Sequence, residues 1–426
     1  MLLQRLQGSA DDVLGTYSHI ILDEVHERDI LIDFLLNLLK TAMRDRIRRG
    51  IKPIPHVVLM SATLDTELFS KYFASQDASG SLRPCPHVFV PGRTFPVTER
   101  YLDNLLPFLE SQYSAADLAL MRNDFATTQH INAERAFTCG EKKPQAQTER
   151  EEALVPVGLI ATAIAGLAQG APGAILVFLP GIDDIEKVDK LLYEGQPLGL
   201  DFTNPKRFKV FKLHSSMRDA QKEVFLPLPP KCRKIILATN IAETSITLPD
   251  IVHVIDTGKV KEKRYDPLTR ISRLQCVWIS QSSSKQRAGR AGRVRNGNYY
   301  ALFTKQRHEA MRRTTMPEMM RSNLQELCLA IKAHGIKVPV RDFLGASIEP
   351  PLPEAVDSAI NSLEALDALT VDEKLTSLGQ ILAKLPVAPS LGKMLLLGVI
   401  FRCFGEFHPF RSPLTLRIIC THVTHP

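Results

Sequence analysis

Residues Val155 to Ile182 read VPVGLIATAIAGLAQGAPGAILVFLPGI, a stretch without one charged side chain. On hydropathy alone it is long enough to span a bilayer. Gly170-Ala-Pro-Gly173 cuts it in two. Before the cut, Leu159, Ile160, Ala163, Ile164 and Leu167 fall on one helical face; after it, Ile175 to Leu179 is a strand-length apolar run. The expectation is helix, turn and buried strand, not a membrane span. Similar short apolar runs lie at His19–Leu22, Val57–Met60, Ile235–Leu237 and Val252–Ile255. Continuous apolar strands alternating with helices suit a parallel sheet covered on both faces. The runs end on Asp23-Glu24, Ser61-Ala-Thr63, Pro180-Gly181, Thr239-Asn240 and Asp256-Thr-Gly258. In open α/β sheets the ligand sits beyond such carboxyl ends, so these residues mark out a site.

With 426 residues, 44% hydrophobic and 23% charged, the chain belongs with ordinary globular proteins and has room for two to four domains. Its net charge of +7 is concentrated in one place. Between Asp256 and Arg295 eleven basic residues face three acids, which is +8 in one window and −1 elsewhere. A basic surface so confined points to a bound polyanion. The seven cysteines are odd in number, scattered and not spaced like a zinc knuckle, which suits a reducing, intracellular compartment, cytoplasmic or nuclear. From 111 to 155 the pattern fades into polar and charged residues, read as an inserted loop or linker. After Arg307 the strands stop and helical stripes take over (Leu324, Leu327, Cys328, Ile331; Val356, Ile360, Leu363, Leu366).

Two constellations carry chemistry. Adjacent carboxylates Asp23-Glu24, followed by Val25-His26 at the end of a buried strand, are costly to hold together unless a cation or a reacting water uses them. The zinc-protease pattern that His26-Glu27 might begin fails, because position 30 is Ile. In Gln286-Arg-Ala-Gly-Arg-Ala-Gly-Arg293, arginines 287, 290 and 293 recur every three residues, which predicts one side of a helix. Two helical glycines cost about 1 kcal/mol each relative to Ala, so a closely packed partner is expected there.

Asp23–His26, Ser61–Thr63, Thr239–Ser245 and Gln286–Arg293, in this order, resemble motifs II, III, V and VI of the DEAH/RNA-helicase-A-like (DExH) helicases of superfamily 2. The resemblance extends over about residues 1 to 403. It implies an α/β fold of two RecA-like parallel-sheet domains, the first incomplete, followed by a mainly helical winged-helix region, with ATP and Mg²⁺ as cofactors and RNA as partner. The boundaries read as 1–110, a linker at 111–155, 156–306, a winged helix at 307–385, and the start of a helical ratchet-like region with an irregular tail at 386–426. The resemblance makes Asp23 and Glu24 the Mg²⁺ and water-activating carboxylates. His26 becomes a coupling residue of the catalytic set, and Ser61 and Thr63 link hydrolysis to domain movement. Arg290 and Arg293 become arginine fingers, with Gln286 beside the attacking water. Phe225 would stack on adenine, and Thr244, Asp256 and Gly258 complete the nucleotide side. Thr239, Lys259, Lys261 and Lys263 would meet RNA, the lysines on a hairpin formed by residues 259 to 278.

The sequence departs from the family in two respects. After Phe401-Arg-Cys403, where the family continues with amphipathic helices, residues 404–426 show no clear period. No G-x-x-x-x-G-K-[ST] phosphate loop occurs either: Gly258-Lys259 and Gly392-Lys393 are followed by Val260 and Met394 and lack the upstream glycine. The chain therefore reads as part of an ATP-dependent RNA helicase. The alternative is a non-catalytic RNA-binding or scaffolding module derived from one. Cys420, His422 and His425 are read as tail residues, not metal ligands.

Overall fold

The structure, a computed structural model, describes residues 2–8, 10–62, 66–76, 82–92, 95–140, 152–170, 172–215, 221–229, 231–244, 246, 248, 250–266 and 269–402. Thr63 and the Cys420, His422 and His425 group lie outside the described residues. The chain divides into two compact units, one of Met1–Val88, Arg264–Arg273 and Met316–Pro426, the other of Phe89–Lys263 and Leu274–Thr315.

The first unit opens with α1 (Leu2–Gly8) and α2 (Ala10–Thr16), then β1 (His19–Leu22), α3 (Ile30–Arg48), β2 (His56–Leu59), α4 (Thr66–Tyr72) and a small antiparallel pair, β3 (Ser75–Gln76) with β4 (Leu82–Arg83). β1 and β2 pair in parallel, His19 opposite His56 through Leu22 opposite Leu59. One side of this two-stranded sheet is uncovered, with Ile21 60%, Val58 40% and Met60 42% exposed. Asp29 caps α3, accepting a bond from the Ile32 amide at 2.7 Å.

The second unit is built on a six-stranded parallel sheet. Its elements are β5 (Val97–Arg100), α5 (Leu102–Gln112), α6 (Ala119–Asn123), α7 (Phe125–Thr138), α8 (Val157–Gln169), β6 (Ala174–Phe178), α9 (Ile182–Gly195), β7 (Phe208–Leu213), α10 (Gln221–Val224), β8 (Arg233–Ala238) and β9 (Ile251–Asp256). The hairpin strands β10 (Lys259–Asp266) and β11 (Ile271–Trp278) follow, their roots in this unit and residues 264–273 counted with the first, then α11 (Gln281–Gly289), β12 (Gly297–Ala301) and α12 (Lys305–Ala310). The strand order is β5-β12-β9-β6-β8-β7. Alternate residues feed two cores: Ile175, Val177, Ile235 and Leu237 join α5, α6 and α8 on one face, while Leu176, Phe178, Ile236 and Ala238 form the other. Val155 to Leu179 thus folds as helix, turn and fully buried strand.

Among the described residues the first unit closes with five helices, α13 (Gln325–Ala333), α14 (Val340–Gly345), α15 (Pro353–Ala365), α16 (Ser377–Leu382) and α17 (Pro389–Ile400). The bridge between Leu369 and Leu375 marks a short wing. These helices share a core with Phe34, Leu35, Leu38 and Leu39 of α3.

Three boundaries need correction. Residues 111–155 are not simply a loop: α6 and α7 lie there, and Leu118 and Met121 belong to the core of the second unit. α7 buries Thr127, His130 and Glu134, so its inner face shows no apolar period. Likewise β5, assigned by position to the first domain, pairs with β12, Val97 opposite Gly297, and so belongs to the second sheet. The start read at 307 for the winged-helix part also moves, since α12 stays with the second unit.

Candidate functional site

In the first unit the motif residues sit where parallel strands end. Glu24 follows β1 in the left-handed region, φ 53°, which costs a non-glycine residue energy and is found where structure over-determines it. Its amide donates to Asp23 Oδ1 at 2.8 Å. Both carboxylates are exposed. His26, largely buried in the next turn, places Nδ1 3.3 Å from Glu24 Oε2, while its Nε2 has no hydrogen-bond partner among the described residues. Val25 N donates to Met60 O at 3.2 Å and Met60 N to Leu22 O at 2.8 Å, so Ser61 lies beside the Asp23-Glu24 turn.

Sequence reasoning missed what fixes that turn. Arg28, also left-handed at φ 51° and 6% exposed, forks onto Asp33 through Nε at 2.7 Å and Nη2 at 3.0 Å. Its Nη1 reaches Glu349 Oε2 at 2.7 Å, and its carbonyl accepts the Glu318 amide. A bidentate buried arginine holds geometry that a lysine could not.

In the second unit, motif VI is not one helical face. α11 stops at Gly289, Arg290 caps it, and Arg293 lies in the turn beyond. The close approach expected from the glycines falls at Gly292, where an added Cβ would stand 2.6 Å from the Phe95 carbonyl oxygen. Arg287, assigned no role from sequence, is the most buried of the three arginines. Its Nε donates to Glu243 Oε2 at 2.9 Å and its Nη1 to Asp256 Oδ1 at 2.7 Å, and the guanidinium lies over Phe178. Burial alone would lower its pKa, but Asp256 and Glu243 outweigh burial and hold it charged. Tyr299 Oη donates to Asp256 Oδ2 at 2.7 Å, Ser284 meets Tyr299 at 2.9 Å, and Ser283 donates to Glu243.

That network bears on two site assignments. Asp256 is fully buried, its oxygens taken by Arg287, Tyr299 and the Gly258 amide, so its carboxylate is committed inside the fold. Gly258 serves a tight turn at φ +70°, where a Cβ would meet Phe303 at 2.5 Å. Lys259 needs correction: it is wholly buried, with Nζ donating to Leu154 O at 2.5 Å, and cannot touch a phosphate as placed. Lys261 is engaged by Asp183 at 3.0 Å and Asp184 at 3.7 Å. Lys263 is exposed on the hairpin.

Arg290 is 7% exposed and donates to Ile246 O at 2.8 Å. Arg293 is half-buried, and burial lowers its pKa. Gln286 is half-buried on α11, and Thr244 is half-buried in the turn after Asn240–Ala242. Thr239 is buried, its amide donating to Leu213 O at 3.2 Å. Phe225 is 48% exposed just past α10 and is not a core aromatic.

Paired carboxylates thus end a parallel strand of the first unit, and an arginine-rich turn follows α11 in the second. Comparison with known proteins gives the family. Residues 159–295 match the helicase conserved C-terminal domain and residues 359–387 the winged-helix helicase-associated domain (HA2). The chain is 38% identical over 427 residues to the chloroplastic DExH-box ATP-dependent RNA helicase DExH4 of Arabidopsis thaliana, covering 95% of this chain and 29% of that protein. It is 38% identical to the ATP-dependent DNA/RNA helicase DHX36 of Rattus norvegicus, over 98% of this chain and 42% of the relative. The crystal structure of the Escherichia coli DEAH/RHA helicase HrpB superposes with a TM-score of 0.65 at 27% identity, covering 93% of this chain and 41% of that one. The chain belongs to the DExH-box helicases, and it spans less than half the length of these relatives.

Proposed function

We propose that this chain supplies part of the motor of an ATP-dependent RNA helicase that couples nucleotide hydrolysis to movement along RNA. The observation that carries the reading is the exposed Asp23-Glu24 pair at the end of a parallel strand, bonded through Val25 and Met60 to the Ser61 turn. Among the described residues no cluster of three or more His, Cys, Asp or Glu could hold a metal. Two carboxylates alone suit Mg²⁺, which keeps several waters and takes its remaining ligands from phosphate. Asp23 would hold that ion and Glu24 would orient and deprotonate the attacking water, with His26 beside it. Gln286 would position the water, and Arg293 would meet charge developing on the γ-phosphate. Arg290 would do so only after exchanging its bond to Ile246 O. Phe225 is free of the core to stack on adenine, with Thr244 on the phosphate-side loop. Ser61 and Thr63 would link hydrolysis to domain movement, and Thr239 and Lys263 would meet RNA. No helix among the described residues is long and apolar enough to cross a membrane; an intracellular setting, cytoplasmic or nuclear, goes with this reading.

The test is RNA-stimulated phosphate release by a full-length protein containing this chain. Glu24→Gln should abolish it. Arg293→Ala should cut turnover roughly 10³-fold or more while sparing RNA affinity, because an arginine finger acts on transition-state charge. The second reading is a non-catalytic RNA-binding module derived from a helicase. RNA binding by the full-length protein with no stimulated release would select it.

A further inference from the structure

Lys259 and Trp278 are the first residue of β10 and the last of β11, the two roots of the hairpin. The roots are tied at the backbone by Ile279 N donating to Gly258 O at 2.9 Å. Lys259 Nζ lies over the Trp278 ring, 4.9 Å from its centroid, and the Arg307 guanidinium lies over the same ring at 4.9 Å. Neither cation is loose. Lys259 donates to the carbonyl of Leu154, just before α8, and Arg307 Nε donates to Glu134 Oε1 at 2.8 Å. Glu134, on α7, also accepts the Thr304 amide at 2.9 Å and its hydroxyl at 3.1 Å. Phe303 meets the indole edge-on at 6.1 Å.

We propose that Lys259 is a positioning residue for the hairpin and not an RNA contact, bracing Trp278 together with Arg307 so that the two roots of the hairpin are held together. A buried cation is retained only where hydrogen bonding and a ring face compensate its lost hydration, and here both do. Burial pulls the Lys259 amine down to about 8, with Cys276, Glu134 and Glu152 opposing that and Arg307 adding to it, so it stays mostly protonated at neutral pH. The use to which the hairpin is put rests on the helicase reading; the brace itself belongs to the second unit alone.

Trp278 is the only tryptophan in the chain, which makes the test direct. Lys259→Met fills the same space but supplies neither the donor for Leu154 O nor the charge over the indole. In the 426-residue chain, acrylamide quenching of Trp278 fluorescence should rise about threefold in Lys259→Met and recover in Lys259→Arg. Unchanged quenching in the Met variant would overturn the proposal. Oligouridine affinity should fall severalfold with the slope of log affinity against log salt unchanged, whereas removing a lysine that neutralises a phosphate would reduce that slope by roughly 0.7; a reduced slope would overturn the proposal too. If the unmodified chain bound no RNA, the RNA reading of this chain would fail and quenching alone would decide the brace. Should Lys259→Met not fold, Arg307→Gln removes the other cation and should raise quenching by a similar factor, and unchanged quenching there would count against the brace.

Discussion

Arg287 shows how much a single buried charge can organise. It joins the turn after β8, the end of β9 and the helix that ends at Arg290, so removing it leaves Glu243 and Asp256 with unpaired buried charge. Breaking a buried pair in this way costs about 3–5 kcal/mol. Arg287→Met should therefore lower the stability of the second unit by that amount, read from its urea midpoint, and a midpoint within experimental error of the parent would refute the role. His130 offers a pH test of the same unit. It is fully buried, with Nε2 2.6 Å from Leu302 O, and burial, with Lys259 and Arg307 adding to it, lowers its pKa to about 3. A folded pKa below the unfolded value of about 6.5 means the unfolded chain binds the extra proton, so this contribution is intact above pH 6.5 and is lost as pH falls towards 3. By pH 5 the loss should be about 2 kcal/mol, and His130→Gln should flatten the pH dependence of the urea midpoint between 7 and 5.

The hairpin and the helices around it show which elements were legible in sequence. β6, β8 and β9 announce themselves because strands buried on both faces carry short apolar runs, and α8 because its period survives the glycine break. α7 does not, since it buries Thr127, His130 and Glu134, polar residues satisfied by tertiary partners that no local pattern reveals. Burial is the same blind spot for Asp256 and Lys259, which look like site residues because of their charge. The basic window therefore divides. Lys259, Arg287 and Arg290 are interior, whereas Lys263, Arg270 and Arg273 are exposed along the hairpin. If the hairpin meets RNA phosphates, replacing those three exposed residues by Glu should weaken oligonucleotide binding uniformly across sequences. It should also reduce the salt slope by roughly 0.7 for each single-strand phosphate that is no longer neutralised. Unchanged affinity and slope in that triple variant would move the RNA-binding surface elsewhere.

At the scale of the whole molecule the two units differ in how well they are closed. The second has a six-stranded sheet with both faces covered, whereas β1 and β2 of the first form a two-stranded sheet with Ile21, Val58 and Met60 open to water. Val88 of the same unit is 88% exposed. Two strands alone are marginal, and exposed apolar groups beside unpaired strand edges invite pairing with another chain. The 426-residue chain should consequently self-associate: light scattering should show mass rising with concentration in the micromolar range, and a hydrophobic dye should bind at neutral pH without denaturant. Ile21→Lys with Val58→Lys should reduce both signals while leaving the urea transition of the second unit in place. A chain that stays monomeric at tens of micromolar and binds no dye would mean that these apolar groups are covered in solution, and the first unit would then be a closed domain in its own right.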